Sequence, residues 1–219
     1  MRCPHPVLAL ALALCLPLAA MAGDGDIDKV NGTVRVEAGQ QAGDVSTVNG
    51  AVRVGDNATV REASTVNGAI ELGTRVQADA LGTVNGSVSV GAESRIRGKI
   101  EAVNGTIRLD RGADVGGRVS NVNGAITLDA AHVAGGLGTV GGDINVGAGS
   151  RVEGGILVDK PGGWFHFGDR RPPHVVIGPR AVIQGTLEFR REVVLQVSDS
   201  AQIGPVKGAT PVKFSGAQP

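Results

Sequence analysis

Asp110 and Asp129 are the residues of this sequence best spaced for chemistry. Two carboxylates held about 5 Å apart can share the roles of nucleophile and general acid in glycoside cleavage. A fold that stacks equivalent positions of a repeat would hold them at about that distance. The same position in the other repeats is Glu37, Gly55, Gly73, Gly91 or Gly147, and an aspartate that alternates with glycine reads as a turn former. A non-catalytic role is therefore expected.

A second cluster lies in the stretch "DKPGGWFHFGDRRPPH". There Trp164, His166, Arg170 and Arg171 bring a flat ring, an imidazole and two guanidinium groups close together in sequence. Such a patch could converge on a ligand or partner, a carbohydrate among them. The structural alternative is a tryptophan covering the wall of the fold beside a solvated basic loop.

Metal and cofactor chemistry finds no support. Cys3 and Cys15 fall in the first 22 residues, and His132, His166 and His174 stand apart from one another without ligand spacing. No glycine-rich loop joins a strand to a helix, and "VGGDINVGAG" is a single echo of the calcium-binding nonapeptide. Nucleic acid is not an expected partner either. The 21 basic residues are balanced by 21 acidic ones, and four Phe, one Trp and no Tyr offer few stacking platforms.

The elements that position these residues are repeats. Val-Asn-Gly begins at Val30, Val48, Val66, Val84, Val103 and Val122, and Val-Gly-Gly follows at Val140, in steps of 18, 18, 18, 19, 19 and 18. Four positions after each valine stand Val34, Val52, Ile70, Val88, Ile107, Ile126 and Ile144. Six after it stand Val36, Val54, Leu72, Val90, Leu109, Leu128 and Val146. Ile27, Val45, Ala63, Leu81, Ile100, Val119 and Leu137 precede it by three, while Ala42, Val60, Ala78, Ile96, Val115, Ala134 and Val152 follow it by twelve.

Asn-Gly between valine-rich stretches is also a strong hairpin signal. Hairpins account for each repeat singly, but not for columns that keep their character from one repeat to the next. The sequence therefore predicts an all-β fold, a single-stranded parallel β-helix (solenoid) with about three short strands per coil of 18–20 residues. Asn31, Asn49, Asn67, Asn85, Asn104 and Asn123 then stack at one corner as a structural ladder, with a glycine able to take positive φ beside each. Thr47, Thr65, Thr83 and Thr139 share a column that would suit an ice-binding array, interrupted by Lys29, Ala102 and Asn121.

Residues 1–22 read as a signal peptide: Arg2, an apolar run from Val7 to Ala20, and cleavage after Ala22. The run is too short for a membrane span and is broken by Pro17, and lipidation at Cys15 is disfavoured by Leu14. No membrane span is expected after cleavage, and a periplasmic or extracellular location is. Residues 23–158 form the regular coils. Residues 159–219 form less regular coils with an inserted loop and a cap, in which Phe165 and Phe167 take the two inner columns and Gly168 the turn. Further on, Ala181, Ile183 and Ile177 recur as Ala201, Ile203 and Val197, and Val212 with Phe214 closes the end.

"IGPRAVIQGTLEF" and the glycine-punctuated Val/Ile coils before it resemble the bactofilins, a polymer-forming bacterial cytoskeletal family, and the adhesin-type β-solenoid domains of exported bacterial proteins. The resemblance implies a right-handed β-helix without enzymatic activity that self-associates through its ends. The export signal departs from the cytoplasmic bactofilins and favours the adhesin-like group. The expected function is an exported structural or interaction module of the bacterial envelope that binds itself end to end, or an envelope glycan or protein. A carbohydrate-binding or carbohydrate-cleaving β-helix is the alternative.

Overall fold

A computed structural model of the chain describes residues 25–160 and 171–219. These residues form a parallel β-solenoid with no helix. One coil shows the plan: Val88–Val90 on the first face, Arg95–Ile96 on the second, Ile100–Asn104 on the third. The first face is a ten-stranded sheet running from Val34–Val36 to Val212–Phe214, and the other two faces join at their corners into a seventeen-stranded sheet.

Every strand pair is parallel and in register with the repeat. Val34 lies beside Val52, Val52 beside Ile70, Val88 beside Ile107 and Ile107 beside Ile126. Main-chain bonds run from coil to coil about 4.8 Å apart, so the backbone polar groups of each coil are satisfied by its neighbours and the apolar columns close over a dry interior. Val34, Val52, Ile70, Val88, Ile107, Ile126 and Ile144 are each wholly buried.

The short and long repeats differ at one corner. Ala78 and Leu81 are three residues apart, whereas Ile96 and Ile100, then Val115 and Val119, are four apart. The widened corner carries Gly98 and then Gly117, and a Cβ on Gly117 would collide with the backbone of Gly98.

Two sequence expectations are corrected here. Val133, not Ala134, stacks between Val115 and Val152, because the turn that precedes it is one residue shorter than its neighbours. The layer after Ile144 and Val146 belongs to Val175 and Ile177, which pair with them directly; Phe165 and Phe167 lie outside the described residues. The Gly178 amide donates to the Val146 carbonyl at 2.8 Å. The strands on either side of residues 159–173 are Ile156–Val158 and His174–Ile177. The Gly178–Arg180 turn, which sits over Gly147–Gly149, was the signal for this register.

Farther along, Val182 and Ile183 stack on Gln202 and Ile203, and Ile177 on Val197. Leu187 and Phe189 are buried on one strand. In the last strand Val212 is exposed and Phe214 half-buried.

A second corner imposes a left-handed backbone in coil after coil: Gly39, Asn57, Arg75, Glu93, Gly112, Ala130, Gly149 and Arg180 all have φ between 44° and 75°. A non-glycine residue there costs about 1–2 kcal/mol, and alanine has no polar side chain to offset it. Ala130→Gly is expected to raise stability by about 0.5–1 kcal/mol, after the entropy of the freer unfolded chain is subtracted. Urea denaturation followed by circular dichroism checks it, and a loss of stability would show that the turn carries no strain.

Candidate functional site

The corner asparagines form a continuous ladder on the outer surface. Each amide Nδ2 donates to the Oδ1 of the asparagine one coil before: Asn49 to Asn31 at 3.1 Å, Asn67 to Asn49 and Asn85 to Asn67 at 3.0 Å, Asn104 to Asn85 at 3.1 Å, and Asn123 to Asn104 at 2.9 Å. Gly141 occupies the next place in the column.

The glycine after each asparagine has a different reason from the one inferred from turn chemistry. Gly32 and Gly124 have positive φ, but Gly50, Gly68 and Gly105 do not. The shared constraint is steric: a Cβ on Gly50, Gly68, Gly105 or Gly142 would fall onto the carbonyl oxygen of the equivalent glycine one coil before.

The same carbonyls explain the threonine column. The hydroxyls of Thr47, Thr65 and Thr83 donate to the carbonyls of Gly32, Gly50 and Gly68 at 3.2, 3.0 and 3.3 Å. Asn121 replaces threonine by donating through Nδ2 to the Gly105 carbonyl at 3.2 Å. These threonines are only 3–5% exposed, so they present no ice-binding face.

What the strand does present is valine. Val48, Val66, Val84, Val103 and Val122 are 39–41% exposed, and Val30 is 67% exposed. They form an outward ridge beside a trough of about 610 Å³ lined by Ser46, Ser64, Gly82, Glu101 and Ser120. This ridge is the feature the sequence reading missed. In the fold Val45 and Thr47 are buried, so alternation along their strand turns Val48 outward.

Of the aromatic and basic patch, Trp164, His166 and Arg170 lie outside the described residues. Arg171 is ion-paired: its Nη2 stands 3.0 Å from Asp143 Oδ2, while Asp143 Oδ1 accepts the His174 amide at 2.8 Å. Asp110 and Asp129 are each engaged by a neighbouring arginine. Arg108 Nε donates to Asp110 at 2.8 Å, and Arg111 Nη2 lies 3.6 Å from Asp129. Both are turn residues, as their column suggests.

His132 is not isolated, as its sequence neighbours imply. Its Nδ1 is 2.7 Å from Asp114 Oδ1, one coil before, and its Nε2 lies 3.4 Å from Glu153 Oε1, in the coil after. Arg95 pairs with Asp114 and Arg151 with Glu153, each at 3.2 Å. Both ring nitrogens face carboxylates, so the imidazole ties three coils together. The signal was the stacking of His132 on Asp114 at repeat spacing. Among the described residues no group of three or more His, Cys, Asp or Glu side chains could hold a metal ion.

Several carboxylates are held below their ordinary pKa values. The Arg61 guanidinium hydrogen-bonds Asp44, the Thr74 amide bonds Asp56, Arg151 and then His132 bond Glu153, and the Lys160 amide followed by Arg190 stabilises Asp159. A depressed folded-state pKa adds stability above the unfolded-state value, and that stability is lost as pH falls through the folded one. The melting temperature is therefore expected to fall as pH is lowered through about 4 and below, and to fall less steeply in Asp56→Asn. A flat acid profile would contradict these contacts.

Comparison with protein-family models, with curated proteins and with solved structures finds no match.

Proposed function

We propose that the chain is an exported, non-catalytic structural β-solenoid of a bacterial envelope, which assembles through its ends or offers its faces to an envelope partner. One observation carries the reading. Among the described residues, Ile27–Asn31 and Val34–Val36 pair only with the coil that follows, and Val206–Lys207 and Val212–Phe214 only with the coil that precedes. Unpaired strand edges template the addition of further strands, and here all strands would continue the same parallel register. The corner asparagines and His132 are taken up by bonds that join coils. The resemblance to bactofilins and adhesin-type solenoids supports a right-handed rod of this kind, and the leader-like residues 1–22 support export.

Negative-stain microscopy of the purified chain tests it. Rods that lengthen with concentration, and that shorten in Phe214→Lys, are the expected result. Rods of one coil-stack length at every concentration would overturn end-to-end assembly. Turnover of a polysaccharide that is lost in Asp110→Asn or Asp129→Asn would replace the structural reading with a catalytic one. Fractionation of cells expressing the chain checks export, and retention in the cytoplasm would remove that part.

A further inference from the structure

We infer that the valine ridge is a pairing surface for a second copy of this chain, lying side by side with the two rods antiparallel. The inference deepens the self-association proposed above and rests on that reading, but it assigns a face, an orientation and a register that end-to-end assembly does not.

The ridge runs over six coils, one valine per coil, beside a trough whose residues are small except for Glu101. A partner must match a spacing of about 4.8 Å over that length, and a second stack of parallel strands has this spacing by construction. A row of exposed apolar side chains this regular is also more than the scattered valines a surface ordinarily carries.

Charge selects the partner and its direction. The column that flanks the trough points outward alongside the valines, and it is acidic at one end and basic at the other: Asp26, Asp44 and Glu62, then Ala80, then Lys99 and Arg118. When two identical faces meet, their two-fold axis lies in the plane between them. An axis across the rod, parallel to the strands, sets each column against itself in reverse coil order. With Ala80 at the centre, Glu62 then faces Lys99 and Asp44 faces Arg118. Slipping one rod by half a coil lets the valines interdigitate, and it seats Asp44, or in the other direction Glu62, between Lys99 and Arg118 of the partner. Every one of these registers opposes acid to base. An axis along the rod would instead carry the charged column across to the asparagine side and gain none of this.

Neighbours within the chain moderate the charges without reversing the pattern. Arg61 pairs with Asp44 and Asp26, and Glu101 lies 2.7 Å from Lys99. The net attraction is modest, so it falls with added salt.

Sedimentation equilibrium of the full chain over a range of concentrations and salt tests the proposal. A dimer that weakens with salt is expected. Val84→Asp, at the centre of the ridge, is expected to weaken it at least about tenfold. Glu62→Lys and Lys99→Glu should each weaken it by about tenfold at low salt. The combination of the two, which restores opposite charges across the two-fold axis, should recover most of the loss. All three side chains are solvent-exposed, so melting temperatures should stay close to the parent value and serve as the folding control. A dimer indifferent to Val84→Asp, a double variant no better than either single one, or a strict monomer overturns side-by-side pairing. Rods that shorten in Phe214→Lys but persist in Val84→Asp would sink this inference and leave end-to-end assembly standing.

Discussion

Ile107→Ala is expected to lower stability by about 3–4 kcal/mol. Ile107 is wholly buried at the middle of the stack, with Val88 directly before it and Ile126 directly after it in the same column. Removing its outer carbons leaves a cavity whose walls are held apart by main-chain bonds on both sides, so the site cannot collapse to fill it. A solenoid has no distant contacts to share the loss, because each coil touches only its neighbours. The transition in urea should therefore move to lower denaturant and also lose steepness, as the stack divides at the weakened layer. Val48→Ala is the control: its side chain stands on the outer ridge, and the change should alter stability by less than about 0.5 kcal/mol. A cost below about 1 kcal/mol at Ile107 would show that the column is not packed as described.

Gly68→Ala should cost about 3 kcal/mol, although it adds one methyl group at a half-exposed corner. That methyl would fall on the Gly50 carbonyl oxygen, which already accepts the Thr65 hydroxyl at 3.0 Å. Both colliding groups are backbone, and the Gly68 amide is itself fixed to the Asn85 carbonyl at 2.9 Å. No flexible side chain can move to make room. Gly82→Ala makes the contrast, since nothing lies within 4 Å of its added Cβ, and it should be nearly neutral. Asn67→Ala removes two exposed ladder bonds and should cost about 1 kcal/mol. If Gly68→Ala were as mild as Gly82→Ala, the close approach of successive coils at this corner would be wrong. A turn needing positive φ would instead tolerate asparagine, so Gly68→Asn, expected here to be as damaging as alanine, separates the two explanations.

Where the sequence reading failed, it failed for physical reasons that particular residues make plain. Val133 was displaced by one position because a turn can shed a residue without changing the apolar pattern on either side. The layer next to Ile144 and Val146 was assigned to Phe165 and Phe167 because alternation alone cannot tell which of two nearby apolar pairs, theirs or Val175 and Ile177, continues the column. The His132 bridge between Asp114 and Glu153 was missed because it joins three coils whose side chains meet only after stacking.

By itself the sequence determined the winding: a repeat of 18 or 19 residues, the inward columns, and the corner asparagines follow from period-2 alternation and from equivalent residues recurring at one-coil intervals. Only the tertiary structure decided which way the repeated valine faces. Val48 lies three positions after buried Val45 and four before buried Val52, so alternation from one side sends it outward and from the other inward. The answer depends on which side of the valine the chain turns its corner. Glycine's close approach to the carbonyl one coil before puts that corner after the valine, which leaves threonine inside and a ridge of valines on the surface.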